Sequence, residues 1–105
     1  MNNADTLKNL AEILEQRKSA KAGESYVASL YESGLDKILG KISEEAIETV
    51  DAAREEDNEH LIHEVADLWF HCMVLLAQKN LSYEDVLLEL DRRFGISGLV
   101  EKAQR

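Results

Sequence analysis

An all-α bundle of four to five helices is the fold class this sequence predicts, and three observations predict it. Apolar residues recur at i, i+3, i+4 and i+7 along almost the whole chain. Proline is absent and aromatic residues amount to 6%, which argues against a turn-rich β-sandwich. Hydrophobic residues make up 45% of the 105 positions, enough for one core in a chain with little room for two domains. Residues 1–105 are therefore expected to form a single helical domain. A bundle this small and acidic is expected to bury a second apolar face by homodimerisation.

The elements follow in order. Leu7, Leu10, Ala11 and Leu14 share one helical face and predict a first helix from about Asp5 to Ala20. Ala22-Gly23-Glu24-Ser25 breaks it, and Ser25 is placed to cap a short helix ending near Gly34. A long helix is expected from Leu35 to Arg54. The acidic run Glu55-Glu56-Asp57-Asn58-Glu59 predicts a solvated hairpin whose last residues favour the next helix N-terminus. That helix runs to Lys79, where Asn80 closes it in the left-handed conformation. Ser82 starts the next, with Asp85 at N3 and Leu81 against Val86 as a hydrophobic staple, ending at Phe94-Gly95. Ile96–Arg105 reads as a short helix or a partner-dependent arm. No internal repeat, low-complexity tract or Pro/Gly/Ser-rich linker interrupts this order.

Charge and cysteine usage narrow the function classes. Asp and Glu number 21 against 12 Lys plus Arg, a formal charge of −9 that repels a nucleic-acid backbone. A single cysteine, Cys72, excludes an intrachain disulfide framework and a Cys-based zinc site, and suits a reducing cytoplasm. Met1–Asp5 lacks the basic and apolar regions of a secretory signal. The most apolar stretch, Leu68–Ala77, is ten residues long and contains His71, too short to span a bilayer. No membrane or nucleic-acid partner is expected.

The chemistry is concentrated in carboxylates. On the long helix Lys41, Glu44, Glu45 and Glu48 fall inside an arc of about 100°, with Leu39, Ile42, Ala46, Val50 and Ala53 on the other side. Alone, that stripe also fits a solvated polar face. The following helix is apolar nearly all round from Leu61 to Leu76, a pattern of buried helices, yet carries Glu64 and Asp67 one turn apart. Ionised carboxylates in such a setting need a cation or a shifted pKa, since an unpaired buried charge costs several kcal/mol. If the two helices pack antiparallel with their polar stripes facing, Glu44, Glu45, Glu48, Glu64 and Asp67 converge. Like charges about 6 Å apart repel by roughly 2–3 kcal/mol per pair at an effective dielectric of about 20. Lys41 offsets one charge, and a divalent cation resolves the rest; an all-oxygen set suits Mg²⁺ or Mn²⁺. The competing reading is a carboxylate hydrogen-bonded to Tyr or Lys within the core.

Other arrangements are weaker. The sequence holds neither Glu-x-x-His nor His-Glu-x-x-His, although His63-Glu64 begins the latter. His60, His63 and His71 read as supports for the carboxylates or caps of polar ends rather than as metal ligands, and Cys72 as core filler. A glycine-rich phosphate loop is lacking, and Ser25 and Cys72 have no His-acid partner set for nucleophilic catalysis. Basic residues cluster as Arg17, Lys18 and Lys21, as Lys37 and Lys41, and as Arg92 and Arg93. These are solvated or helix-end charges, or the rim of a polyanion pocket; the residues alone leave both open.

Glu-Glu-x-x-Glu at Glu44, Glu45 and Glu48, followed after 15 residues by Glu-x-x-Asp at Glu64 and Asp67, resembles the metal motif of MazG-like all-α nucleotide pyrophosphohydrolases. Within that superfamily the chain resembles the phosphoribosyl-ATP pyrophosphatase family of histidine biosynthesis. The likeness runs through Arg17-Lys18, Ser25-Tyr26-Val27, Gly34 to Ile38, Lys41 to Glu48, Glu64 to Leu68 with His71, and Arg92 to Leu99. Ser43 stands where members often have Gly. The resemblance implies hydrolysis of 1-(5-phosphoribosyl)-ATP to the monophosphate and pyrophosphate. It implies a metal held by Glu45, Glu48, Glu64 and Asp67, and Glu44 orienting or deprotonating the attacking water. Arg17, Lys18, Ser25, Tyr26, Lys37 and Lys41 are the candidate substrate contacts, with Arg92 and Arg93 reaching a site near the subunit interface of a homodimer. Two alternatives share features of this sequence: a related pyrophosphohydrolase acting on another nucleotide, and a non-enzymatic helical dimerisation module.

Overall fold

A computed structural model describes residues 3–94, and among them five α-helices are present and no strand. They are α1 (Thr6–Gln16), α2 (Tyr26–Ser33), α3 (Leu35–Arg54), α4 (Asn58–Gln78) and α5 (Tyr83–Arg93). Short 3₁₀ turns occupy Asn3–Asp5, Arg17–Ser19 and Ala22–Glu24. The expected tail Ile96–Arg105, and Gly95 before it, lie outside the described residues.

Most boundaries follow from local chemistry. The Ser25 hydroxyl oxygen accepts the Ala28 N–H at 3.2 Å and caps α2. Gly34 ends α2 and begins α3 at φ +98°, ψ 178°, a conformation that only glycine adopts without strain. In the acidic turn Glu56 takes φ +61°, and the Asp57 carboxylate accepts the His60 N–H at 3.1 Å to cap α4. Asn80, at φ +59°, closes α4: its N–H donates to the Ala77 carbonyl at 3.0 Å, and that of Leu81 to Leu76 at 2.8 Å. That pair of bonds is a Schellman motif. Ser82 and Asp85 form the expected capping box on α5.

Two expectations are corrected. The first helix does not continue to Ala20: it tightens into the 3₁₀ turn at Arg17, and Ala20 is already extended. And α4 is not buried all round, because Ile62 is 69% and Trp69 61% exposed in the single chain.

The core lies where α1, α2 and the N-terminal half of α3 meet the C-terminal half of α4. Leu14, Leu30, Ile38 and Val74 are sealed there, with Val27 and Met73 beside them. Leu7, Leu10 and Ala11 pack against this cluster, as the α1 pattern predicts. The Tyr31 hydroxyl donates to the Leu14 carbonyl at 2.9 Å, satisfying one of the acceptors that a helix end leaves open.

The most extensive pairing is between α3 and α4, an antiparallel hairpin joined by Glu55–Asp57. Its seam inverts the usual pattern. The buried residues of α3 are Ile38, Glu45 and Ala52, seven apart, and those of α4 include Glu64 and His71, also seven apart. Positions at that spacing normally carry apolar side chains. Meanwhile Leu39, Ala46, Val50 and Ala53, with Ile47 at 63%, lie exposed on the outer side of α3. The carboxylate stripe faces inward, and much of the apolar stripe faces out.

Candidate active site

The inverted seam brings carboxylates from two helices together. Glu45, Glu48 and Glu64 each offer an oxygen within 4.8 Å of the others, and a ring nitrogen of His63 with an oxygen each of Glu64 and Asp67 forms a second set of the same span. Glu64 is common to both sets. The backbone fixes this arrangement: Glu45 and Glu48 are one turn apart on α3, and His63, Glu64 and Asp67 span an arc of about 100° on α4.

Burial makes the cluster electrostatically costly. Glu45 and Glu64 are 5% and 6% exposed, and Glu45 Oε2 and Glu64 Oε2 are buried with no hydrogen-bond partner. Burial, then the neighbouring Glu48 and Glu64 carboxyls, push Glu45 up to about 7. Glu48 is raised too, chiefly by its interaction with Glu64. For Glu64, burial pushes upward, but Glu48, Glu45 and the nearby His60 and His63 outweigh it and hold the carboxyl below its ordinary value. The group therefore retains a proton that isolated carboxyls would release, with Glu64 remaining its most acidic member.

Around this centre the other polar groups are tied into pairs. Lys41 Nζ lies 3.2 Å from Glu44 Oε2 and 3.9 Å from Glu45 Oε1, and its hydrogen bond to Glu44 first of all raises its pKa. Glu44 thus sits on the rim beside Lys41, half exposed, and outside both candidate ligand sets. His60 bridges Glu55 (Nδ1, 3.2 Å) and Glu64 (Nε2, 3.3 Å); its pKa is raised, mainly by the bond to Glu55.

Tyr26 enters from the N-terminus of α2, with His71 behind it. His71 Nδ1 lies 2.8 Å from the Asp67 carbonyl, and Nε2 lies 2.8 Å from the Tyr26 hydroxyl. A carbonyl only accepts, so Nδ1 carries a proton, and in the neutral imidazole Nε2 then takes the hydrogen bond donated by the phenol. Phe70 contacts both rings, at centroid separations of 6.5 Å and 5.2 Å. Burial, with Glu45, Glu44 and Asp67, holds the Tyr26 phenol above its ordinary pKa against the pull of Lys41. The phenol oxygen is thereby oriented, with its lone pairs left for other donors. Sequence reasoning missed this role of His71; its signal was the spacing of four between Asp67 and His71, which puts the ring over the Asp67 carbonyl.

The remaining sequence candidates are placed as follows. Ser25 caps α2, immediately before Tyr26. Lys37 is exposed near the start of α3, and Arg17 is exposed in the first 3₁₀ turn. Lys18 Nζ reaches Glu15 at 3.0 Å and the Asn80 side-chain oxygen at 3.1 Å, linking that turn to the end of α4. Arg92 and Arg93 are paired with Glu89 on α5, at 2.7 Å and 3.2 Å. These two arginines pull Glu89 down to about 2. The burial of Cys72 raises its thiol pKa, in keeping with a packing role. No helix among the described residues is long and apolar enough to cross a membrane.

Chemically, three carboxylates from two helices with orphaned buried oxygens make a donor set for a hard divalent cation, and the residues present fit one. Comparison with known proteins agrees with this chemistry. The family model described as phosphoribosyl-ATP pyrophosphohydrolase matches residues 7–94. A phosphoribosyl-ATP pyrophosphatase of Methylococcus capsulatus is 61% identical over 96% of both chains. That of Chromobacterium violaceum is 57% identical over 96% of this chain and 94% of its own. That of Vesicomyosocius okutanii is 55% identical over 96% of both. With its carboxylate seam and these relatives together, the chain belongs to the phosphoribosyl-ATP pyrophosphohydrolase family.

Proposed function

We propose that the chain hydrolyses 1-(5-phosphoribosyl)-ATP between the α- and β-phosphates, giving 1-(5-phosphoribosyl)-AMP and pyrophosphate, the second step of histidine biosynthesis. The observation that carries the substrate assignment is the likeness to phosphoribosyl-ATP pyrophosphatases over 96% of the chain at up to 61% identity. Neither alternative is favoured. A pyrophosphohydrolase for another nucleotide would share the carboxylates but not this full-length likeness. A dimerisation module would leave Glu45 and Glu64 buried and unexplained.

Glu45, Glu48, Glu64 and Asp67 would hold the divalent cation, Mg²⁺ or Mn²⁺ by the oxygen character of the set. Bound there, it would neutralise phosphate charge and acidify water. The chain's own groups do the rest. Glu44, at the solvent-facing rim, takes the proton of the attacking water or orients it. Lys41, freed from Glu44 as that carboxylate turns to water, faces a phosphate oxygen. Arg17, Lys18 and Lys37 supply further positive charge, and Ser25 and Tyr26 offer hydroxyls at the mouth of the site. Oriented by His71, the Tyr26 oxygen accepts from a substrate hydroxyl or amino group.

Residues 1–105 act as one domain in this reading, in the cytoplasm, and two copies associate. The exposed apolar side of α3, with Ile62 and Trp69 on α4, supports homodimerisation, as does an apolar groove of about 310 Å³ lined by Trp69, Leu76, Val86 and Leu90. Arg92 and Arg93 then serve the partner's site.

Pyrophosphate release in Mg²⁺ tests the function, with phosphoribosyl-ATP, dUTP, dCTP and ATP compared at equal concentration. Strong preference for phosphoribosyl-ATP is expected. Preference for one of the others would overturn the substrate, and release from none would overturn the enzymatic reading.

A further inference from the structure

We infer that His63 adds a nitrogen ligand to the outer edge of the carboxylate cluster, so that His63, Glu64 and Asp67 form a cation position favouring borderline ions such as Co²⁺ and Zn²⁺ over Mg²⁺. The inference deepens the metal reading above and rests on it.

The geometry comes first. A nitrogen of His63 and one carboxylate oxygen each from Glu64 and Asp67 lie within 4.8 Å of one another. Donors bound to one ion at about 2.1 Å stand roughly 3–4 Å apart, so small side-chain rotations bring these three onto a single cation. His63 and Asp67 are already paired, Nε2 to Oδ2 at 3.3 Å. By itself that i,i+4 contact would be an exposed ion pair of little consequence.

Glu64 changes its meaning. Its side chain is 9% exposed, yet Oε2 is buried without a hydrogen-bond partner, and the residue belongs to both candidate ligand sets. A buried carboxylate oxygen without a donor is what a cation satisfies. His60 is differently disposed, since its two ring nitrogens are directed at Glu55 and Glu64, and it belongs to neither set. Imidazole suits Zn²⁺, Ni²⁺ and Co²⁺, whereas Mg²⁺ keeps to oxygen. The seam therefore offers an inner all-oxygen set (Glu45, Glu48 and Glu64, which Asp67 would complete) and an outer mixed set in which His63 joins Glu64 and Asp67.

The test uses the full chain, calorimetric titration with Mg²⁺, Co²⁺ and Zn²⁺, and pulsed electron paramagnetic resonance of bound Cu²⁺, a paramagnetic ion that also suits imidazole, for nitrogen coupling. His63 is exposed, so His63→Asn is expected to keep the helical circular dichroism unchanged. It is expected to weaken Co²⁺ and Zn²⁺ by about tenfold or more, to leave Mg²⁺ within about twofold, and to remove the nitrogen coupling. His60→Asn should leave that coupling in place. Absence of nitrogen coupling in the unaltered chain, its persistence in His63→Asn, or equal losses for Mg²⁺ and Zn²⁺ would each overturn the inference and leave the carboxylate site standing. Failure of the unaltered chain to bind any of these ions would overturn both.

Discussion

Replacing Glu45 by glutamine is expected to stabilise the metal-free protein. Glu45, Glu48 and Glu64 present oxygens within 4.8 Å of one another. At an effective dielectric of about 20, each ionised pair at that range repels by roughly 3 kcal/mol. Protonation relieves part of this, which is why burial and then the neighbouring carboxyls push Glu45 from 4.5 to about 7. The sign follows from linkage. Between pH 4.5 and about 7 the folded chain holds a proton that the unfolded chain has released, so this contribution to stability is full below 4.5 and is lost as pH rises through 7. The glutamine variant has no such loss, and its amide can donate to Glu48 or Glu64. Near pH 8, metal-free Glu45→Gln should exceed the unaltered chain by about 1–3 kcal/mol, or several degrees in Tm for a domain of this size. The gap should close toward pH 5. Far-UV circular dichroism of urea unfolding in chelator, at equal protein concentration and several pH values, measures it. Adding divalent metal should stabilise the unaltered chain more than the variant and reverse the order. A variant less stable near pH 8, or a gap independent of pH, would refute the account of the seam.

Glu48→Gln and Asp67→Asn are each expected to abolish pyrophosphate release while leaving the helical circular dichroism intact; metal-dependent turnover in either would remove that residue from the site. Tyr26→Phe and His71→Phe are expected to raise KM more than they lower kcat, and the double variant to be little worse than either alone, because both lose the same oriented phenol. Additive effects in that cycle would separate the two residues. Gly34→Ala should cost about 1–3 kcal/mol in urea unfolding: its φ of +98° is the obstacle, since an added Cβ would meet nothing within 4 Å. Ile47→Lys or Trp69→Lys should yield monomers in sedimentation, and an unchanged oligomer for both would place the subunit contact elsewhere.

Helix ends were legible in the sequence wherever a side chain makes them. Ser25, Asn80 and the Ser82–Asp85 box cap helices as their chemistry predicts, and Leu7, Leu10, Ala11 and Leu14 form the packed face of α1. The end of α1 was not legible, because Arg17-Lys18-Ser19 contains no breaker and its tightening into a 3₁₀ turn has no signature in residue type. The carboxylate motif was legible as spacing. Its direction was not: amphipathicity says that two faces of a helix differ, and only packing says which is covered. Leu39, Val50 and Ala53 have the composition of an inner face and lie outside, while Glu45 lies inside. The bond from Tyr26 to His71 joins residues 45 apart in sequence, and no local pattern encodes it.

The same inversion explains why this fold needs both an ion and a second copy in the proposed reading. A seam built on Glu45 and Glu64 contributes repulsion where coiled helices ordinarily gain apolar burial, so the α3–α4 hairpin is held mainly at one end, by Ile38 against Val74 and the residues of α1 and α2 around them. Toward the Glu55–Asp57 turn the described chain offers Ala52 as the one buried apolar residue of α3. A cation between the carboxylates would turn that repulsion into attraction across the seam. Covering Ile47, Val50 and Ile62 by a partner would supply the burial that the seam forgoes. Catalytic charge and oligomeric contact are then two consequences of one choice, the placing of carboxylates at core positions, and the outward apolar face is what that choice leaves behind.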